Sequence, residues 1–400
     1  MLQLLFLDAF QNVILIALLH RLTFMRDSTK SLRDQTRGST FVDVPKEYRR
    51  LDTKATKEPR DTIHMQPLVT ILIPTYKRPT MLVEALESAL KQDYANLEII
   101  VCDDASTDET EEVVSRYLSD PRLRYFRASQ NGGMVRTWKW GLEKLASGEW
   151  FLILSDDDYL TDPKFIWTAV AKAVADPGIR VVLAAGTVRI EGTRHSAVMQ
   201  IPYADVEDGS TIFINRDSLI QPTEFILCGL LFHRATALAY QPFTDPNNFC
   251  CDAGVYFNIC LRWKIAVIHQ PVCVYREHGN NTLRSHKTWE QQLGILRMYF
   301  DLWTAAKESA HFTEEQLANW RSRVLLRACR TFILGARLYL RSGRKIRAAF
   351  DTINAYEEFK VAELLLSPVF LLKFLAAGFP RIYSRLAHLQ LTRRIARYGS

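Results

Sequence analysis

The sequence predicts an α/β fold built on a mostly parallel sheet. Between residues 68 and 186, short apolar segments alternate with segments of helical period, about one strand–helix unit every 25–30 residues. In addition, two of the strands, "LEIIVC" and "WFLILS", run straight into carboxylates, Asp103-Asp104 and Asp156-Asp157-Asp158. In a parallel sheet both clusters fall on the edge where such folds bind ligands, at the carboxyl ends of the strands.

The elements follow in order. "LVTILIP" is a short β-rich run that ends in a proline. "PTMLVEALESALKQ" reads as a helix, with Pro79 suited to the first turn and Leu82, Leu86, Ala89 and Leu90 on one face. "LEIIVC" is the next strand. "STDETEEVVSRYL" reads as a helix, with Ser106 and Glu109 spaced as a capping box. "LRYFR" is a third strand and residues 132–147 a third helix. "WFLILS" is a fourth strand, after which Asp162-Pro163 is placed to cap the helix "PKFIWTAVAKAVA". "IRVVLAAG" is a fifth strand. No period repeats strongly enough for a solenoid.

The flanks differ. Residues 1–25 are apolar but interrupted by Asp8, Gln11 and Asn12, so the unbroken run is too short to cross a bilayer. The segment reads either as a membrane-surface helix or as a helix packed on the core. Residues 26–66 are polar, without periodicity, and read as a linker or arm. Residues 67–285 carry the strand–helix alternation and the carboxylate-ended strands, and 286–400 form a helical basic region. From residue 283 onward 20 Lys and Arg stand against 9 Asp and Glu, a net +11 in a chain whose overall charge is +7. That asymmetry points to an anionic partner, such as a phosphate-bearing lipid or a membrane face, with a solvated basic surface as the plainer alternative. "ELLLSPVFLLKFLAAGF", broken by Pro368 and Lys373, is an interfacial segment rather than a span.

Seven cysteines without a CxxC pair argue for reduced thiols in a cytoplasmic protein, not for a disulfide framework or a zinc site. No GxxxxGK[ST] occurs, so the phosphate cradle of a P-loop NTPase is missing. No GxGxxG follows the first strand, which disfavours a dinucleotide-binding domain. Two carboxylate clusters on one edge repel unless a cation lies between them. Hard divalent cations are commonly held by one or two carboxylates plus substrate phosphates, an arrangement suited to a nucleotide diphosphate as leaving group.

At this point the chain resembles a known family. "VTILIPTYKRPTMLVEALESALKQDYANLEIIVCDDASTDET" and "NGGMVRTWKWGLEKLASGEWFLILSDDDYL" are similar to the opening of the family 2 glycosyltransferases up to their metal motif. "CGLLFHRATAL" resembles their acceptor-side strand. "NFCCDAGVYFNICLRWKIAVIHQPVCVYREHGNNTLR" resembles their catalytic-base helix and the strand after it. The resemblance covers roughly residues 68–285.

It implies a GT-A fold and an inverting, metal-dependent transfer of a sugar from a nucleotide-diphosphate donor, most simply a UDP-sugar, to an acceptor hydroxyl in surface polysaccharide or glycolipid assembly. It places Pro74, Thr75, Tyr76 and Asp103 on the nucleotide base and Arg78 on base or phosphate. Asp104, Gly133, Asp156 and Asp157 complete the donor site. Lys139 or Arg136 supplies charge to the phosphate, because Trp138-Lys139 stands where many members carry Arg-Asn. The divalent metal, Mg or Mn, falls to Asp158 or Asp157 with His278, and Ser155 replaces the motif's usual first Asp. Arg276 is a further phosphate contact. Asp252 is the general base, with helix N-capping as its plainer role. The expected partners are the donor, a glycan or lipid-linked acceptor and the cytoplasmic membrane face, with no nucleic acid. A nucleotidyltransferase is the competing enzyme, but "PTYKRPT" lacks the glycine its loop would want. A non-catalytic sugar- or nucleotide-binding module is the third reading, weakened by the presence of Asp103, Asp157 and Asp252.

Overall fold

The computed structural model describes residues 66–216, 226–241, 243–278, 288–339 and 343–356, with 367, 370, 371 and 374. The apolar N-terminal segment, the polar arm and most of "ELLLSPVFLLKFLAAGF" lie outside the described residues.

The chain opens with β1 (Val69–Thr75), α1 (Pro79–Leu90), β2 (Leu97–Asp103), α2 (Thr110–Ser115), β3 (Leu123–Arg127), α3 (Met134–Trp140) and β4 (Trp150–Ile153). It continues through β5 (Tyr159–Leu160), α4 (Phe165–Ala175), β6 (Ile179–Ile190), β7 (Ser196–Val198), β8 (Val206–Asp208) and α5 (Gly209–Asn215). Then come β9 (Leu230–His233), α6 (Arg234–Ala239), α7 (Cys251–Cys260) and β10 (Lys264–Glu277). Four helices close the described chain: α8 (Trp289–Glu308), α9 (Glu314–Trp320), α10 (Leu326–Tyr339) and α11 (Gly343–Asn354).

The strands form one sheet in the order β3-β2-β1-β4-β9-β6-β10-β5, with β7 on β6 and β8 on β10. β3, β2, β1 and β4 are mutually parallel, and β10 is parallel to β6. β9 runs antiparallel between β4 and β6. Every residue of β2 is buried, as expected of a parallel strand written as a continuous apolar run. The register aligns Thr75 with Asp103 and Leu72 with Ile153. Tyr76, Asp104 and the Asp156–Asp158 triplet therefore leave the sheet at one edge, as the sequence predicts.

Three local expectations change. Ser106 and Glu109 form no capping box: Ser106 Oγ accepts from Lys77 N–H (2.9 Å), and the Ser106 N–H donates to Asp103 Oδ1 (2.8 Å). The helix begins instead at Thr110, whose N–H meets Asp108 Oδ1 at 3.2 Å. Asp162 holds the Lys164 N–H at 2.9 Å, and α4 starts at Phe165. The helix read over 132–147 is α3 followed by a wider π turn, Gly141–Leu145. It stops where the Ser147 N–H turns to Glu98 Oε1 at 2.6 Å.

The true capping boxes lie in the C-terminal helices. Thr288 with Gln291 opens α8, and Thr313 with Gln316 opens α9. These helices share the buried core of the sheet. Trp320 stacks on Phe213 at 4.8 Å and on Trp303 at 5.8 Å, and its indole N–H donates to Phe213 O (3.1 Å). All seven cysteines are buried, and none is in a disulfide.

Candidate active site

The carboxyl edge of β1, β2 and β4 opens into a cleft of about 330 Å³. Pro74, Thr75, Tyr76 and Arg78 form one wall, Ser155, Asp156 and Asp157 another. Asp104, Asn131, Gly133, Met134, Thr137 and Trp138 complete it.

The turns that bring these groups together are strained. Lys77 and Ala105, just beyond β1 and β2, both have positive φ, 52° and 64°. A side chain in that region costs on the order of 1 kcal/mol and persists where neighbours enforce it. The Lys77 N–H to Ser106 Oγ bond braces one turn with the other. The Tyr76 ring is left 41% exposed, a face available for stacking.

The Asp104 carboxylate accepts from the N–H groups of Gly132 (2.6 Å) and Gly133 (2.8 Å). Gly133 has φ +82°, a conformation that favours glycine. The glycine loop is thus held by Asp104 and starts α3 against the cleft.

The triplet divides into three different environments. Asp156 accepts from Thr75 Oγ1 (2.9 Å), the Tyr76 N–H (3.4 Å) and Arg78 Nη1 (3.1 Å). Burial, and then the charge of Asp157, push its carboxyl up to about 6, against the pull of Arg78 and Thr75. Asp157 Oδ2 accepts from Arg78 Nη1 (2.7 Å) and lies 3.0 Å from His278 Nε2. Asp158 turns inward: its Oδ1 accepts the Arg276 N–H (2.9 Å), and burial raises its pKa.

Several sequence-predicted residues stand elsewhere. Asp103 is fully buried and outside the cleft lining; its carboxylate accepts from Ser106 N–H (2.8 Å) and from the Tyr125 hydroxyl (2.6 Å). It shapes the β2 turn where the resemblance places it on the base. Asp158 is likewise committed to the β10 backbone rather than to the cleft. Lys139 lies outside the lining and 3.7 Å from Glu143, one helical turn on. Arg136 is also outside the lining. Arg276 is buried beneath the triplet and does not face the cleft. Asp252 sits in the first turn of α7, partly buried and outside the lining; burial raises its carboxyl to about 6, opposed by the backbone N–H groups at the helix start.

Asn131, Met134, Thr137 and Trp138 are wall residues that the sequence reading did not assign. Their signal is periodicity: Met134, Thr137 and Trp138 share the face one turn after the glycines, and Lys139 is off it. The Trp138 ring meets Phe243 edge-on at 5.6 Å.

The fold and this cleft define a class: an α/β domain whose parallel sheet presents a carboxylate cluster and a hydroxyl- and aryl-bearing wall at one edge. Residues 70–234 match the family model described as glycosyl transferase family 2. This segment, which carries β1 to β4 and the cleft they open into, is what the chain shares with that family. An uncharacterized glycosyltransferase of Rickettsia felis is 32% identical over 152 residues, covering 37% of this chain and 24% of the relative. The putative colanic acid biosynthesis glycosyl transferase WcaA of Escherichia coli K12 is 36% identical over 97 residues, covering 24% of this chain and 34% of the relative. The chain thus spans about a quarter to a third of the length of these curated relatives. Among solved structures, S. aureus TarS 1-349 in complex with UDP-GlcNAc superposes with a TM-score of 0.48 at 18% identity, over 67% of this chain and 81% of that one.

Proposed function

We propose that this chain is an inverting, metal-dependent glycosyltransferase that moves a sugar from a nucleotide-diphosphate donor, a UDP-sugar, to an acceptor hydroxyl in surface polysaccharide or glycolipid assembly. The observation that carries this reading is the convergence of the Pro74–Arg78 wall with Asp156, Asp157 and His278 at one sheet edge. The kinship with WcaA supports the polysaccharide setting.

In this reading the Tyr76 ring and the Thr75 segment seat the nucleotide, and the Gly132–Gly133 loop, held by Asp104, lets backbone approach the diphosphate. The donor chemistry fits a hard or borderline divalent cation. Asp157 offers a carboxylate oxygen within 3.0 Å of an imidazole nitrogen of His278. Among the described residues no three His, Cys, Asp or Glu side chains form a ready-made metal cluster. Mg or Mn suits this pair, because protein carboxylates hold such ions jointly with substrate phosphates. Asp157 and His278 would hold the ion, and the bound ion would stabilise negative charge on the departing diphosphate. Asp158 supports this pair from behind. Arg78, which bridges Asp156 and Asp157, sets a positive charge beside the phosphates. Asp252 takes the proton from the acceptor hydroxyl.

The test is a panel of UDP-, GDP- and dTDP-sugars with and without Mn²⁺, read by thermal shift and by donor hydrolysis. We expect stabilisation by one nucleotide family, enhanced by the metal. No stabilisation by any nucleotide diphosphate with Mn²⁺ rejects the reading.

A further inference from the structure

We propose that Arg276 is a positioning residue for the carboxylate pair: it fixes the Asp157 backbone so that the Asp157 carboxylate and His278 meet, and it ties that geometry to Glu84 on α1. This rests on the reading that Asp157 and His278 serve a metal-bound diphosphate.

Arg276 is only 6% exposed and lies near the end of β10. Its backbone N–H donates to Asp158 Oδ1 at 2.9 Å. Its side chain turns under the triplet, where Nε donates to the carbonyl of Asp157 and Nη1 to Glu84 Oε2. The guanidinium lies over the Tyr159 ring, 5.3 Å from its centroid. One residue therefore grips positions 157, 158 and 159 in succession. The residue that holds Asp157 by its carbonyl and the residue that meets its carboxylate are two places apart in the chain, one near the end of β10 and one just beyond it.

The choice of arginine has a physical reason. Its planar fork presents several N–H donors at fixed angles, so one side chain serves a carbonyl and a carboxylate in set directions. Lysine carries the same charge without that fork. Glu84 matters for a different reason: it is outside the cleft lining, on a helix whose own role is packing. If Arg276 only filled space in the fold, losing its Glu84 contact would lower stability and leave metal-dependent binding intact.

The experiment compares Arg276→Lys and Glu84→Gln with the unaltered full-length chain. The probes are UDP alone and UDP with Mn²⁺, read by calorimetry and by the loss of the free Mn²⁺ paramagnetic resonance signal; melting temperature is measured alongside. We expect both variants to bind UDP alone as the parent does. We expect Mn²⁺-dependent UDP binding to weaken about tenfold or more in Arg276→Lys and severalfold in Glu84→Gln, beyond anything the melting temperatures account for. Parental Mn²⁺-dependent binding in a folded Glu84→Gln variant overturns the inference, whether or not Arg276→Lys folds. An unaltered chain that binds UDP with Mn²⁺ while the variants match it rejects only the role of Arg276. An unaltered chain that shows no Mn²⁺-dependent binding rejects the metal reading as well.

Discussion

At the residue scale, the triplet shows how three identical side chains acquire three tasks from their neighbours. Asp156 is bound to the β1 turn, Asp157 to Arg78 and His278, and Asp158 to the Arg276 backbone. Sequence alone places the triplet at the sheet edge but does not say which carboxylate faces the cleft. That depends on a strand more than a hundred residues later. The same limit applies to Asp103, whose carboxylate is consumed by Tyr125, a contact set by the β2–β3 pairing. Asp252 carries the sharpest prediction at this scale. Asp252→Asn keeps the side-chain size and removes the base, so transfer should fall by 10²-fold or more while binding of the donor persists. Unchanged turnover removes Asp252 from the mechanism. In the proposed mechanism Asp252 acts only when ionised, and burial raises its carboxyl to about 6. The proton is therefore held below that pH: kcat/KM should be flat above pH 6 to 7 and fall about tenfold per unit below it. A profile with no limb near 6 counts against the assignment.

At the element scale, the strands and helices of residues 68–186 are legible in the sequence because their apolar runs and their periods are local properties. Their ends are less so. Ser106 has the spacing of a capping residue, yet tertiary contacts from Lys77 and Asp103 take its donor and acceptor. The end of the π turn is set in the same way, by Glu98 on the neighbouring strand. Glu98 Oε1 accepts from Thr70 Oγ1 (2.5 Å), the Ser147 N–H (2.6 Å) and the Gly148 N–H (3.1 Å), and Oε2 accepts from Arg124 (3.2 Å). This carboxylate joins β1, β2, β3 and the turn before β4 at the edge opposite the cleft. Glu98→Ala leaves several donors unpaired, and each buried unpaired group costs about 1–3 kcal/mol. We expect a loss of about 3 kcal/mol in chemical denaturation, with nucleotide binding intact in the folded fraction. A loss below about 1 kcal/mol means that water replaces the carboxylate.

At the scale of the whole molecule, the basic charge gathers in the C-terminal third, whose described helices pack on the core through Trp303, Phe213 and Trp320. Among the described residues no helix is long and apolar enough to cross a membrane. A basic surface draws a protein to anionic lipid by charges that salt screens. The full chain should sediment with phosphatidylglycerol-containing vesicles at about 0.1 M salt, release at about 1 M, and ignore neutral vesicles. Equal binding to neutral vesicles rejects the electrostatic account. The position of β10 has a consequence for biosynthesis. Strands β1 to β4 lie within residues 69–153 and can pair as soon as they emerge from the ribosome. Arg276 and His278 follow 119 and 121 positions after Asp157. Domains fold as their segments become available, so a nascent chain builds the Pro74–Arg78 wall first and gains its grip on Asp157 last. Translation itself thus sets the order in which the cleft is completed, and a ribosome stalled before β10 carries a sheet in which β5 and β8 still lack their partner and Asp157 its grip.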